Sequence, residues 1–545
     1  MERYIGIDLG IATKHKVTIF DGPNQLCKPF AIGMDHDGLE YLLKRATKDV
    51  EGPVNFVLEP TSTVWLPISA YLNAAGHNVY MVKTQKSSDF RKFFSKYAKS
   101  DGIDSGVLAR IPQIDPKGVN VLEVPTAQET TLKRLVKRRE RYVSDTSKQK
   151  LRIQALLLMA NPFLIGALSQ DKFGKATVEF LKKYADPQKV VKLGQSKLDQ
   201  FWHKHSRGMA DEQRASKVFE ACQKTVVLYR QLRADNRLPF DYQAVQQEIC
   251  DELELMAELE SHARQVENQA IEIYKALHPE RILEQLRGVG PIIATCLVAM
   301  IGKISRFKNA RQFVSYCGLC PRKKQTGTSD KKMKITKAGA AILKKSLYLA
   351  ADVARQWDPE FAAYYARRYA KGDHHDYIVV ALARKMALRV YALLKRHEAS
   401  KVDSSSLETA DKVKYVLRTP EGREVTSKEA RGIIKEKYAR EVVAPKRAER
   451  DRAKKKRSMG DEKKKPKQST KGWPPKDATN GVASVSQPKI TTSSTPDNTQ
   501  DDQTTKKRNS DPIQLNDLIA ENLKTIMSDS LRTALENVLK NGGQN

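Results

Sequence analysis

The sequence predicts an α/β domain built on one sheet, a long helical middle, a second and mostly α domain, and a disordered basic tail. Three observations carry this reading. Short apolar stretches of strand length alternate with helical spacings through residue 110 or so. From about 125 to 280 the spacing is almost wholly helical and heavily charged. Beyond 400 the apolar period disappears: residues 441–470 hold 12 Lys and Arg against 5 Asp and Glu, and 466–512 is rich in Ser, Thr, Pro, Gln and Asn.

Tyr4–Leu9 and Lys16–Phe20 read as short strands with a turn between them. Helical spacing follows at Leu39–Ala46, an apolar strand at Val54–Leu58, and a helix at Leu66–Ala75. His77–Val82 is extended and Phe90–Tyr97 helical. In the middle, Ile249, Leu253, Met256, Ala263, Val266, Ala270, Ile273 and Leu277 step by three and four, a coiled-coil-like stripe. Glu260 interrupts it, which suits a short helical hairpin as well as a long coiled coil. Residues 165–210 look like an inserted lobe of mixed charge. A second compact unit opens with Leu286-Arg-Gly-Val-Gly-Pro, runs through Phe307 and Phe313, and passes a polar turn at 318–330. It closes with apolar helices around Leu343–Ala354 and Tyr377–Leu394. Near the end of the tail, Leu515, Leu518, Ile519, Leu523, Ile526 and Met527 begin one apolar helical face that continues to Leu539. Such a helix docks on a second copy or back on its own core. The expected organisation is an α/β domain at 1–125, a helical or coiled-coil region with an insert at 126–279, a second domain at 280–398, a tail at 399–512 and an amphipathic helix at 513–541.

Lys and Arg number 96 and Asp and Glu 64, a formal charge of +32 over 545 residues. That excess argues against an ordinary metabolic enzyme and for a polyanionic partner, nucleic acid or an anionic membrane. The opening MERYIGIDLG has no signal pattern, and the longest apolar run, Ile292–Ile301, is too short to span a bilayer, so no membrane role is expected. Six sparse cysteines suit a reduced cytosol. Cys317 and Cys320 form a C-x-x-C with no second pair or His cluster, and read as two small side chains beside a turn.

In so basic a chain, carboxylates at strand ends stand out. Asp8 follows the apolar strand Tyr4-Ile-Gly-Ile, and Glu59 ends Val54-Asn-Phe-Val-Leu ahead of Pro60. Asp101 and Asp104 lie in Lys99-Ser-Asp-Gly-Ile-Asp, where Ser100 is placed to cap a helix and a three-residue step puts both acids on one face. Four carboxylates converging at a sheet edge repel one another unless cations hold them. Hard oxygen ligands of this kind suit two Mg²⁺ or Mn²⁺ ions, which can clamp the attacking and leaving oxygens of a phosphodiester. The same first strand, Gly6-Ile-Asp-Leu-Gly, also looks like the first phosphate loop of actin-like kinases. That fold requires a second Asp-x-Gly-Gly loop and a Gly-Gly contact, and neither occurs between 100 and 400.

These residues resemble the DEDD transposases of the IS-one-ten insertion-sequence group and their relatives the Piv DNA invertases. The resemblance covers roughly 1–160 and 275–400. Asp8, Glu59, Asp101 and Asp104 match the family's DEDD tetrad in the Lys-x-Asp-x-x-Asp context of its last pair. Leu286-Arg-Gly-Val-Gly-Pro, Arg306-Phe307 with Gly318-Leu319-Cys320-Pro321, and Thr336-Lys-Ala-Gly339 with Leu343 resemble the second domain, Lys344 standing where the family has arginine. The resemblance implies an RNase-H-like (RuvC-like) fold for the first domain and a C-terminal transposase domain. It also implies a mobile-element recombinase with Mg²⁺ or Mn²⁺ at the tetrad, a structured guide RNA, DNA substrates, and a homo-oligomer, dimer or higher. Its expected location is the cytoplasm, associated with the nucleoid.

One departure stands out. The family's Ser-Gly pair, whose serine is understood to join DNA covalently, is Thr326-Gly327 here. Threonine can attack, though its branched Cβ is stiffer. Ser329 is a substitute in the same loop. Arg306, Arg322, Lys323, Lys324, Lys331 and Lys332 are placed to neutralise phosphate, although 322–334, with six Lys and Arg, also reads as a solvated basic loop. Gly288-Val-Gly290 suits either a helix-hairpin-helix phosphate turn or a plain helix cap. The insert and the tail, with its Lys454–Arg457 and Lys463–Lys465 runs, are accessory additions. Two alternatives remain: a metal-dependent nuclease or junction resolvase that uses water, and a non-catalytic nucleic-acid-binding relative.

Overall fold

The computed structural model describes residues 2–94, 101–168, 172–206, 213–326, 329–336, 339–402 and 414–442. Lys99, Ser100, the Lys454–Arg457 and Lys463–Lys465 runs and the expected helix at 513–541 lie outside them.

The first domain is a mixed sheet with helices on both faces. Its strands are β1 (Arg3–Asp8), β2 (His15–Asp21), β3 (Asn24–Gln25), β4 (Phe30–Ile32), β5 (Asn55–Leu58) and β6 (Asn78–Met81), between and after which come α1 (His36–Ala46), α2 (Trp65–Ala74), α3 (Thr84–Phe94) and α4 (Asp101–Ile114). The order is β3-β2-β1-β5-β6, with β4 also on β2. β1 is antiparallel to β2 and parallel to β5, which is parallel to β6. Because both faces are covered, β1 and β5 read as continuous apolar runs. Alternation assigns the faces. Ile5, Ile7, Val17, Ile19, Phe56 and Leu58 pack with Leu39 and Leu42 of α1 and Ile68 and Leu72 of α2. Tyr4, Phe20 and Val57 pack with Val107, Leu108 and Ile111 of α4.

α4 lies directly on β1 because residue 6 is glycine. A Cβ there falls 1.9 Å from the Ser105 carbonyl oxygen and 2.7 Å from the Ala109 nitrogen, both backbone atoms that cannot swing aside. Thr18 and Ser105 share a buried hydroxyl–hydroxyl bond of 2.7 Å that fixes the helix's rotation. Gly6→Val is expected to lower stability by about 3 kcal/mol, read by thermal or urea melting, since overpacking here displaces a whole helix.

The middle is an antiparallel pair of long helices, α5 (Ala127–Ala160) and α11 (Tyr242–Leu277). Arg139 pairs with Glu267 at 2.5 Å, Lys150 with Glu260 at 3.1 Å and Arg152 with Glu252 at 3.6 Å, so partner numbers fall along one helix as they rise along the other. Glu260 therefore does not break the stripe. It stays at the seam's edge, where Lys150 reaches it, and α11 continues through it to 36 residues. The long pair replaces the short hairpin. Between the two run α6 (Leu164–Ala167), α7 (Lys175–Leu181), α8 (Pro187–Leu193), α9 (Gln195–Ser206) and α10 (Arg214–Ala234). They form a lobe with its own core, in which Phe180 and Trp202 stack at 5.2 Å, capping the far end of the pair at Ile153, Leu157 and Ile249.

The second helical domain follows a 3-10 turn at Ile282–Gln285. It contains α12 (Pro291–Ile301), a turn at Ile304–Arg306, α13 (Ala310–Tyr316), the hairpin β7 (Pro321–Thr326) and β8 (Ser329–Ile335), α14 (Ala341–Ala354), α15 (Pro359–Ala370) and α16 (His375–Val402). Its core is continuous with Leu132, Leu135 and Val136 of α5 and Val266, Ala270 and Tyr274 of α11, so the helical pair is rooted in it. Gly288 adopts φ +87° and sits where a Cβ would lie 2.1 Å from the Ala350 carbonyl oxygen; the turn thus packs on α14 while Gly290 caps α12.

The stretch read as structureless from 399 is corrected in part. α16 runs to Val402, and 414–442 forms β9 (Leu417–Arg418), β10 (Glu424–Val425) and α17 (Ser427–Val442). Ile434 and Val442 join the second domain's core, Leu417, Val425 and Ala430 form a small cluster of their own, and polar bonds add to the attachment. Tyr415 donates its hydroxyl to Asp358 at 3.0 Å, and buried Arg355 donates to the Val442 carbonyl at 2.5 Å. No helix among the described residues is long and apolar enough to cross a membrane.

Candidate catalytic site and nucleic-acid surface

Asp8 and Glu59 end neighbouring parallel strands. The register pairs Ile7 with Leu58, which sets the two acids level at the carboxyl edge of the sheet. Ile7 and Leu58 face α1 and α2, so alternation assigns Asp8 and Glu59 to the α4 side. α4 brings Asp104 to that side, one residue before the Ser105 contact with β1 and β2. Asp101 opens α4 three residues earlier, at the helical step the sequence predicts; its side chain lies outside what is described.

α3 gathers two of these acids. Ser87 donates its hydroxyl to Glu59 Oε2 at 2.6 Å. One turn on, Arg91 donates to both oxygens of Asp104 at 3.1 and 3.3 Å. Neither residue belongs to a sequence motif, and only their i, i+4 spacing could have drawn attention to them. Among the described residues, no three Asp, Glu, His or Cys side chains stand close enough together to hold a metal ion. The donors nevertheless suit a hard divalent cation in kind: they are carboxylate oxygens, and Asp104 already draws positive charge in the form of Arg91.

His15 steadies the loop after Asp8. Its ring is buried, and its Nδ1 accepts the Gly10 N–H at 3.1 Å, which leaves the proton of the neutral ring on Nε2. Burial pushes its pKa below the ordinary value, as it does for His77. The unfolded chain therefore binds more protons as pH falls through about 6.5. The domain is expected to lose stability from pH 6.5 downward, and His15→Leu to flatten part of that dependence in melting curves at pH 7.5 and 5.5.

The second set of expected residues lies on the β7–β8 hairpin. Thr326 pairs with Ser329, so both hydroxyl-bearing positions flank the tip. Lys323 lies opposite Lys332 and Lys324 opposite Lys331, with Arg322 at the irregularity near Pro321. Like charges at opposed positions destabilise a hairpin, and a polyanion relieves that cost. The side chains of 322–334 are outside what is described.

Arg306, at the base of the same region, lies over the rings of Phe307 and Tyr316 at 4.6 and 4.4 Å. Lys133, on the exposed side of α5, has its pKa pushed down by desolvation and then by Lys137 and Arg306. Lys133 and Lys137 are one turn apart on α5, so three cations from two elements share one surface, a grouping the sequence did not reveal. Cys317 is buried and its thiol pushed up to about 12, chiefly by burial, so it is protonated; Cys320 is half-buried. The C-x-x-C is thus two small side chains at a turn.

Comparison with known proteins matches both segments. Residues 5–162 match the DEDD transposase of the IS110 type, and residues 280–366 match the transposase IS116/IS110/IS902 family. The chain is 24% identical to the "Insertion element IS110 uncharacterized 43.6 kDa protein" of Streptomyces coelicolor over 62% of this chain and 80% of that one. It is 22% identical to the "Insertion element IS116 uncharacterized 44.8 kDa protein" of Streptomyces clavuligerus, over 72% and 94%. It is 30% identical to the "Pilin gene-inverting protein" of Moraxella bovis over 22% and 38%.

Proposed function

Since the chain belongs to the IS116/IS110/IS902 transposase family and has both matched segments in order, we propose that it is a metal-dependent DNA recombinase with a hydroxyl nucleophile. The observation that supports this most is the placement of Asp8, Glu59 and Asp104 on one side of the sheet's carboxyl edge, by register, alternation and the Gly6 contact. In this reading the first domain is RNase-H-like and α5 with α11 is a coiled-coil arm. Asp8, Glu59, Asp101 and Asp104 would hold two Mg²⁺ or Mn²⁺ ions. Such ions, when bound, neutralise phosphate charge and ease loss of the hydroxyl proton.

The chain's own part is positional. Ser87 and Arg91 orient Glu59 and Asp104, and the Thr18–Ser105 bond holds α4. The hydroxyl of Thr326 or Ser329 attacks a backbone phosphorus. The bond from protein oxygen to phosphorus forms and the bond to the 3′ oxygen breaks. The hydroxyl proton passes to a carboxylate or solvent, and the 3′ oxygen takes up a proton from solvent and departs as a hydroxyl. A second 3′ hydroxyl reverses these events and frees the protein. Arg306 and the hairpin cations neutralise phosphates, and a structured guide RNA selects the DNA sites. A homo-oligomer lets one subunit's hairpin serve another subunit's carboxylates. The protein works in the cytoplasm, associated with the nucleoid.

The test is the double variant Thr326→Val, Ser329→Ala. It is expected to bind DNA and yield neither covalent product nor free nicks. Nicks at the native rate would instead support a nuclease that uses water.

A further inference from the structure

A cleft of about 570 Å³ opens between α15, α16, the β9–β10 turn and α17. It is built largely by residues beyond 366, where the match to the transposase family ends. Its charged and aromatic lining is Glu360, Tyr364, Arg367, Lys385, Lys437 and Tyr438. Glu360 is already engaged by Arg389. Lys385 Nζ lies 4.6 Å from the centre of the Tyr364 ring, and the Arg367 guanidinium 5.6 Å from it. Among the described residues neither Arg367 nor Lys385 forms an ion pair, and Lys437 has only a longer-range acidic neighbour, Glu421. The walls are fixed from behind: Arg355 holds the end of α17 through Val442, and Tyr415 bonds Asp358 at the start of α15.

Three cations around two half-buried tyrosines, with the one acid already satisfied, describe a receptor for an anion that carries flat rings. An acidic peptide would satisfy the cations and leave the ring faces unused. Duplex DNA presents phosphates but keeps its bases stacked inside. A single strand offers phosphate and base together, the combination that cationic grooves with aromatic platforms take. We propose that this cleft binds single-stranded nucleic acid, with Arg367, Lys385 and Lys437 on phosphodiesters and Tyr364 and Tyr438 as surfaces for bases. The proposal rests on the reading of nucleic acid as partner and is independent of the metal chemistry.

The experiment is a salt titration of the full chain with labelled oligothymidylate and oligouridylate, followed by fluorescence anisotropy. Arg367→Gln with Lys437→Gln, both at exposed positions, is expected to weaken binding about tenfold or more and to flatten the slope of log affinity against log salt by about 1.4, roughly 0.7 per lost phosphate contact. Tyr438→Leu is expected to weaken both oligonucleotides about tenfold while leaving inorganic polyphosphate unaffected. The control pair Lys182→Gln with Lys224→Gln, on the inserted lobe, is expected to stay within about twofold. A loss confined to oligouridylate identifies RNA as the source, one confined to oligothymidylate identifies DNA, and a loss of both identifies the shared backbone. Unchanged affinity and slope, an equal loss in the control pair, or equal displacement by oligoaspartate would overturn the proposal. Repeating the series with Asp8→Ala separates the two claims, because failure of the recombination chemistry leaves this binding difference intact.

Discussion

Asp8→Asn abolishes strand breakage and leaves DNA affinity in place: that is the largest effect expected for a single substitution on activity. Asparagine keeps the shape of the side chain and removes the charge that would hold a divalent ion at the end of β1. Loss of a group that acts as part of a unit costs on the order of 10³-fold or more in rate, about 4 kcal/mol of transition-state stabilisation. Affinity is expected to hold or rise slightly, since a negative charge leaves a surface that must meet phosphate. Asp37→Asn, on the exposed face of α1, is the matched control and is expected to change nothing. Cleavage by Asp8→Asn at the native rate would remove the carboxylate edge from the chemistry.

The second large effect is on stability. Arg389 reaches Asp358 at 2.5 Å and also bonds Glu360, and the Asp358 side chain is only 2% exposed. Arg389→Leu removes the positive charge and strands a buried carboxylate. Three weaker partners remain, the Tyr415 hydroxyl at 3.0 Å and the backbone N–H groups of Glu360 and Phe361 at 3.0 and 3.3 Å. The cost is therefore expected near the lower end for a broken buried pair, about 3 kcal/mol. Urea unfolding followed by tryptophan fluorescence, to which Trp357 next to Asp358 contributes, reads it. Adding Asp358→Asn is expected to recover part of the loss, because the amide oxygen keeps the helix cap without the charge.

How far the sequence reaches depends on what kind of force holds each element. The sheet strands announce themselves, since β1 and β5 are buried on both faces and must be apolar throughout. The carboxylate edge follows from them, because Asp8 and Glu59 interrupt those runs. The partners of the acids do not follow. Ser87 and Arg91 lie on a short polar helix whose role depends on where α3 crosses α4, which is tertiary information. The α5 seam was missed for a related reason: Thr146 and Gln149 occupy buried positions between Val136 and Ile153, so its apolar period is broken on paper while its packing is not. α17 escaped because only two of its side chains, Ile434 and Val442, are buried in the second domain's core, beside the Arg355 bond to the Val442 carbonyl, in a stretch whose composition resembles the tail beyond it. The hairpin tip was the most difficult place to read, since a basic loop and a nucleophile loop share the residues Thr326, Ser329 and their lysines.

A protein hydroxyl on the β7–β8 hairpin is expected to exchange with DNA under the control of the carboxylates. The direct measurement mixes the full chain, with co-purified RNA retained, with Mg²⁺ and DNA bearing its own flanking element ends, and resolves the products on a denaturing gel. The expected result is a protein–DNA band that survives denaturation, requires the divalent ion, is absent in Asp8→Ala, and is lost with either Thr326→Val or Ser329→Ala, whichever residue attacks. Free nicked DNA with no such band, or a band undiminished in Asp8→Ala, would contradict the account.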